Sequence, residues 1–215
     1  MKTKAQEDEY VWGQYTREYS AQVEEMQATA GENGSDFLVT SFKETPNGVV
    51  FLDKLHGNWK QLYAAAFKLK PKSVFECGCG GMYHLLNMKK MLPTASVGGC
   101  DLLASQVEFG AKKFSVPKEI LDNVSIRDFA SEGATDGLGK YDFVYSHAVI
   151  MHISYDKAIQ FLKNMGKIAE KNIMLVEGTA KHEYPAMFAE AGLLDAFNFS
   201  KPEEFQENAF LLTRR

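Results

Sequence analysis

No run of apolar residues in this chain approaches the roughly 20 that a membrane-spanning helix requires, so the sequence encodes no bilayer crossing. Nor does the N-terminus, "MKTKAQEDEYVWGQY", place an apolar stretch behind its lysines, and no secretory signal is expected there. Cysteine is scarce. The three in 215 residues, Cys77, Cys79 and Cys100, are too few for a disulfide framework, and the expected compartment is the cytoplasm. Cys77 and Cys79 with His84 lack a fourth ligand at zinc-like spacing, so no metal site is expected. Both thiols read instead as small side chains beside a tight turn. Internal repeats and low-complexity tracts are absent as well. Charge of either sign is not in excess: 28 acidic against 24 basic residues leave a net −4, which draws the chain toward neither DNA nor an anionic membrane. Lys68, Lys70 and Lys72 read as the solvated end of a helix.

What the chain does have is an ordinary globular composition, 45% hydrophobic and 24% charged, and enough length to bury a full α/β core. From Lys72 onward, short apolar runs alternate with helical patterns. Strands are expected over 73–78, 95–101, 123–128, 141–147 and 172–178. Helices are expected over 82–92, 103–114, 154–171 and 185–192, with Ser105 near the start of the second and Ser154 capping the third. Two further apolar runs, 193–200 and 208–215, are too close for a crossover helix between them and read as an antiparallel pair. The fold class is therefore α/β. It is a doubly wound, seven-stranded, mostly parallel sheet with a C-terminal antiparallel strand pair and helices on both faces. Residues 1–70 differ in character, with helical patterns over 7–26 and 57–70, and are expected to form an N-terminal helical cap on a core spanning 71–215.

The stretch "SVFECGCGGMYHL" (73–85) runs from a strand through a glycine turn into a helix, an arrangement that suits a nucleotide-like ligand. A dinucleotide loop would read G-x-G-x-x-G, but after Gly78 and Gly80 the third position is Tyr83. No Gly-Lys-Ser/Thr follows, which excludes a Walker-type phosphate loop. Glu76, at the end of the first core strand, would repel a pyrophosphate and attract a ligand carrying ammonium and sulfonium charges. Asp101 ends the next strand, where it can accept hydrogen bonds from two ribose hydroxyls. Asp128, in "IRDFA", ends the third, where an adenine amino group can donate.

With these residues in place, the chain from about 72 to 215 resembles the class I (Rossmann-like) S-adenosylmethionine-dependent methyltransferases. The resemblance is carried by Glu76-Cys77-Gly78-Cys79-Gly80, by Asp101 and "RDFA", by "YDFVYSHAVIMHI" around the fourth strand, and by the terminal antiparallel pair. One departure is Met82, where the family often has a third glycine. The resemblance implies S-adenosylmethionine as cofactor and S-adenosylhomocysteine as product. It implies that Glu76 orients the methionine moiety and that Gly78 and Gly80 admit the backbone close to the ligand. It implies further that Asp101 binds ribose, that Leu102 packs on adenine, and that Asp128 and the Phe129 backbone read the adenine edge. Ser146 and His147 would line the floor beneath the sulfonium.

Methyl transfer needs alignment more than acid–base work. Where a base is used, the candidates are His147 and His152, just past the fourth strand. No Asn/Asp-Pro-Pro-Tyr/Phe follows that strand and no Pro-Cys lies near it, so DNA-base methylation lacks its signatures. The absence of a carboxylate cluster there disfavours a magnesium-dependent catechol-type site. In the cap, Trp12, Tyr15 and Tyr19 fall at i, i+3, i+7 and can share one helix face, as a lid over the ligands or as packing. The expected activity is methyl transfer to an oxygen or nitrogen of a small molecule, with no membrane partner. The alternatives are a protein or RNA acceptor, or a non-catalytic S-adenosylmethionine-binding protein.

Overall fold

The computed structural model describes residue 21 and residues 36–46, 48–201 and 205–215. Of the helix expected over 7–26 only residue 21 is described, and it is helical; Trp12, Tyr15 and Tyr19 lie outside the described residues. From residue 36 onward the first described elements are a hairpin, β1 (Phe42–Thr45) and β2 (Gly48–Phe51), followed by α1 (Gly57–Leu69). The core continues as β3 (Ser73–Cys77), α2 (Tyr83–Met91), β4 (Ser96–Asp101), α3 (Ala104–Lys113), α4 (Lys118–Leu121) and β5 (Val124–Ile126). Next come β6 (Tyr141–His147), a single 3-10 turn (Ile150–His152), α5 (Tyr155–Ile168) and β7 (Ala169–Val176). The chain closes with α6 (Tyr184–Glu190), α7 (Leu193–Ala196), β8 (Phe197–Ser200) and β9 (Ala209–Arg214).

The seven core strands lie in the order β5-β4-β3-β6-β7-β9-β8. Pairings from β5 through β7 are parallel, and β9 runs antiparallel to both of its neighbours. Strand order therefore reverses between β3 and β6, and the carboxyl ends of those strands open the crevice where such sheets take ligands. Successive strand residues point to opposite faces, and each face has its own core. Val74, Phe143, Tyr145, Met174 and Val176 join α1 and α2 on one face. Phe75, Val144, Ile173 and Leu175 join α5 and α6 on the other.

Several boundaries differ from expectation. Residues 169–171 continue the helical pattern of α5, yet Ala169 pairs with Tyr141 as the first residue of β7. The ladder outweighs the helix propensity of that short stretch. Ser154 holds the N-cap position of α5, but its hydroxyl makes no hydrogen bond among the described residues. The expected N-terminal helical cap is only partly helical where described, because β1 and β2 precede α1. Phe37, Val39, Leu55 and Trp59 of this region are buried in the same cluster as Val74 and Phe143, so it packs directly on the sheet.

Candidate active site

The turn after β3 is tied to the end of β4 by three hydrogen bonds. The N–H groups of Gly78 and Cys79 both donate to the Cys100 carbonyl at 2.8 Å, and Gly80 N–H donates to Asp101 Oδ2 at 2.8 Å. Gly78 has φ +82°, and a Cβ there would lie 2.4 Å from Val149 Cγ2, so the loops after β3 and β6 touch at a point only glycine admits. Met82, where a third glycine was the family expectation, keeps the left-handed backbone (φ 62°) while burying its side chain completely. Packing of that side chain offsets a conformation that costs a non-glycine residue about 1–2 kcal/mol.

These loops enclose a cavity of about 230 Å³. Glu76, Gly78, Gly80, Asp101, Leu102, Asp128, Phe129 and His147, all named from the sequence, line it together. Glu76 is buried, and its Oε2 makes no hydrogen bond among the described residues. Burial pushes its carboxyl well above the usual carboxylate range. Asp101 also accepts from Leu103 N–H through Oδ1 (2.8 Å), so each of its oxygens holds one backbone donor and retains a lone pair for a ligand. Its carboxyl is likewise raised by burial. Asp128 accepts from Ala130 N–H at 2.9 Å, and Asn164 Nδ2 fixes the Phe129 carbonyl at 2.9 Å. Leu102 stands partly exposed at the cavity wall, suited to covering a flat apolar ring.

Two expected residues lie elsewhere. Ser146 does not line the cavity, because the pleat that turns His147 toward α1 and α2 turns its neighbour to the opposite face. There its hydroxyl donates to Glu177 Oε1 at 2.7 Å. His152 sits on the 3-10 turn, which places Val149 and Ile153 on the cavity wall and His152, half-buried, outside it.

The fold brings further residues to this site. The sequence alone does not single out Glu177; it marks Trp59 and Tyr63 only as aromatics before the core, Tyr83 only as a loop position and His84 only as a discounted metal ligand. Glu177, just past β7, accepts from the Ser146 hydroxyl and from the N–H groups of Val149 (3.0 Å) and Met151 (3.3 Å), and so fastens the loop after β6. Burial raises its carboxyl to about 7. Trp59, Tyr83 and His84 line the cavity from α1 and α2. His84 joins Tyr63 (Oη to Nδ1, 2.6 Å) and His147 (Nε2 to Nδ1, 3.3 Å). Burial holds His84 well below the usual histidine range and His147 at about 4. The i, i+4 spacing of Trp59 and Tyr63 and the i, i+3 spacing of His84 and Asn87 were available signals for shared helix faces.

A second cavity of about 370 Å³ adjoins the first, sharing Trp59, His147 and Ala148 with it. His56, Asn58, Met151, Glu177 and Asn208 line the remainder. The buried side-chain oxygen of Asn208 makes no hydrogen bond among the described residues.

Several solved methyltransferases share this architecture. Magnesium protoporphyrin IX methyltransferase of Synechocystis PCC 6803, solved with bound S-adenosylmethionine, superposes with a TM-score of 0.55 at 17% identity, covering 72% of this chain and 76% of that one. The chain has the class I S-adenosylmethionine-dependent methyltransferase fold. Human N-acetylserotonin methyltransferase, also solved with S-adenosylmethionine, gives a TM-score of 0.55 at 15% identity over 74% of this chain and 52% of its own. An O-methyltransferase-like protein of Nostoc punctiforme PCC 73102 gives 0.57 at 14% identity over 73% and 55%. No protein-family model matches the chain. An uncharacterized protein of Rickettsia prowazekii (strain Madrid E) is 27% identical over 104 residues, which are 48% of this chain and 41% of that protein. The match thus spans about two fifths of that relative's length. Among the described residues no helix is long and apolar enough to cross a membrane, and no group of histidine, cysteine and carboxylate side chains is arranged to hold a metal ion.

Proposed function

We propose that this protein is an S-adenosylmethionine-dependent methyltransferase acting on an oxygen or nitrogen atom of a small-molecule acceptor, with S-adenosylhomocysteine as product. One observation carries the reading. Glu76 is buried at the end of β3 beside the glycine turn, with an oxygen that no described protein group bonds, in one cavity with Asp101 and Asp128. Burial holds the carboxyl toward its neutral form; an arriving ammonium and sulfonium would draw it into the ionised form and be paired by it, whereas a pyrophosphate would gain nothing there.

In this reading Glu76 holds the amino group of the methionine moiety, and Gly78 and Gly80 let the backbone approach it. Asp101 offers its remaining lone pairs to the ribose hydroxyls. Leu102 covers the adenine face, and Asp128 with the Phe129 backbone meets the adenine edge. When bound, the sulfonium supplies an electrophilic methyl carbon, to which the acceptor's lone pair bonds as the C–S electron pair stays on sulfur. The chain contributes alignment and exclusion of water, and the shared residues Trp59, His147 and Ala148 would stand where methyl and acceptor meet. The size of the second cavity supports a small acceptor, within the usual range for small-molecule sites. A lid function for residues 1–70, with Trp12, Tyr15 and Tyr19 over the ligands, a separate core over 71–215, and a cytoplasmic location belong to the same proposal.

Calorimetric titration with S-adenosylhomocysteine and with NAD tests it. Asp101→Ala is a poor probe, because that carboxylate also holds the glycine turn. Glu76→Gln preserves shape and removes the charge. Saturable binding of S-adenosylhomocysteine alone, weakened at least about tenfold in Glu76→Gln, is the expected result. Preference for NAD, or no binding of either, would reject the assignment.

A further inference from the structure

A chain of buried hydrogen bonds ends at His147, and its proton polarity can be read from its far end. Asn87 accepts from Val39 N–H through Oδ1 at 2.8 Å and donates from Nδ2 to the Phe37 carbonyl at 2.8 Å. Those two backbone partners fix which end of the amide is nitrogen; the reverse would set N–H against N–H and oxygen against oxygen. The second Nδ2 proton goes to the Tyr63 hydroxyl at 2.7 Å. Tyr63 therefore accepts there and spends its own proton on His84 Nδ1 at 2.6 Å. A neutral His84 must then carry its proton on Nε2, directed at His147 Nδ1 at 3.3 Å. His147 in turn carries its proton on Nε2. Burial keeps both rings neutral near pH 7. His147 Nε2 has no partner among the described residues, and the ring lines both cavities.

A histidine in this tautomer donates a hydrogen bond and has no lone pair left to take a proton. Reversing it would turn both histidines and leave the buried Tyr63 O–H proton without an acceptor in the chain. Of the other ionisable groups lining the second cavity, His56 accepts from Asn58 N–H through Nδ1 at 3.3 Å, which leaves the proton of its neutral ring on Nε2, and Glu177 is engaged by Ser146, Val149 and Met151. The site thus offers a donor and no disengaged base.

We propose, resting on the methyltransferase reading, that the methyl acceptor is an anionic oxygen, a carboxylate or an ionised hydroxyl, bound in the second cavity by the Nε2–H of a neutral His147. The attacking lone pair forms the new C–O bond, the C–S electron pair remains on sulfur, and no proton has to leave the acceptor. The hydrogen bond from His147 occupies one lone pair and orients another. Tyr63, His84 and Asn87 are positioning residues that hold the tautomer.

Nitrogen-15 histidine labelling and long-range proton–nitrogen correlation spectra at pH 7 test this on the whole chain, free and saturated with S-adenosylhomocysteine. His147 signals are identified by their loss in His147→Gln. The Nε2–H tautomer is expected for both His147 and His84 in the free protein. Tyr63→Phe should leave a folded protein with mixed tautomers at both rings, which a purely structural role would not produce. Benzoate and 2,4-dinitrophenolate, both ionised at pH 7, probe the two acceptor classes against benzylammonium. At least one anion should shift the His147 Nε2–H saturably, with its affinity lost at least about tenfold in His147→Leu and kept in His147→Gln, which retains an N–H donor. An Nδ1–H tautomer, an imidazolium at pH 7, or saturable binding of benzylammonium alone would overturn the inference. Failure of S-adenosylhomocysteine to bind would instead remove the methyltransferase reading itself, and the tautomers measured in the free protein separate the two failures.

Discussion

Glu76 and Glu177 are the same side chain, each buried just at or beyond the carboxyl end of a core strand, and they solve opposite problems. Glu177 is surrounded by donors: the Ser146 hydroxyl and the N–H groups of Val149 and Met151. Glu76 leaves Oε2 without a donor in hydrogen-bond geometry among the described residues, with the buried Tyr145 hydroxyl, also unpaired, as a protein group that acts on its carboxyl. A buried carboxyl that the protein satisfies itself is a structural clasp; one left unsatisfied in a cavity is poised for a cation from outside. The two stand on opposite faces of the sheet, with Val74 and Glu76 toward α1 and α2, and Leu175 and Glu177 toward α5.

The largest expected effect in testing that contrast falls on the clasp. Glu177→Ala would strand a buried hydroxyl and the amide donors of the loop, and should lower unfolding stability by about 3–5 kcal/mol in urea titrations. A stability loss that small exposed-site substitutions also produce would mean that the loop after β6 is held by something else.

Next comes a pH effect of definite sign. Burial raises Glu177 from its ordinary 4.5 to about 7, so the native state holds this proton more tightly than the unfolded chain. Its contribution is fully present below pH 4.5 and is lost as pH rises through 7, a change of about 3 kcal/mol. His147 acts in the other direction: with its value lowered from 6.5 to about 4, its contribution is fully present above pH 6.5 and is lost as pH falls through 4. The stability of wild type relative to Glu177→Gln should therefore fall steadily as pH rises from 4.5 to 7. A difference independent of pH would contradict the burial of an ionisable group there.

Glu76→Gln should behave in the opposite way to the clasp variants. Its stability should stay within about 1 kcal/mol of wild type at neutral pH, because no hydrogen bond to Oε2 is lost. Affinity for S-adenosylhomocysteine should fall by at least about 1.4 kcal/mol, the tenfold loss named above. Equal losses of stability and affinity would erase the distinction between the two carboxyls. The smallest effect is expected at Ala148, which has φ 54° between the two cavities. Ala148→Gly should relieve strain and raise thermal stability by up to about 1 kcal/mol, offset by the extra freedom of glycine in the unfolded chain.

Particular residues show where local pattern suffices. "SVFECG" followed by a helical stripe announces strand, turn and helix, and the acids at 76, 101 and 128 each close an apolar run. They converge because parallel strands in one sheet present their carboxyl ends on one side. The hairpin at 42–51 also had a local signal, the Pro-Asn-Gly of "ETPNGVV" between two short apolar runs, which the reading of this region as a helical cap passed over. Ser146 was a different kind of error. Adjacent strand residues point to opposite faces, and here His147 turns to the cavity while Ser146 turns to Glu177. Which of the two faces the cavity depends on where α1 and α2 pack.

By itself the sequence determined the alternation of strands and helices, the glycine turn, and the three strand-end acids, because each is written in a window shorter than one strand–helix unit. Only the tertiary structure decided what surrounds them. It put Tyr63, His84, Asn87 and His147 in one hydrogen-bonded chain, gave Glu177 its donors, and left Glu76 without a partner at Oε2. Such contacts join residues far apart in the chain, and neither spacing nor periodicity records which buried polar groups will meet.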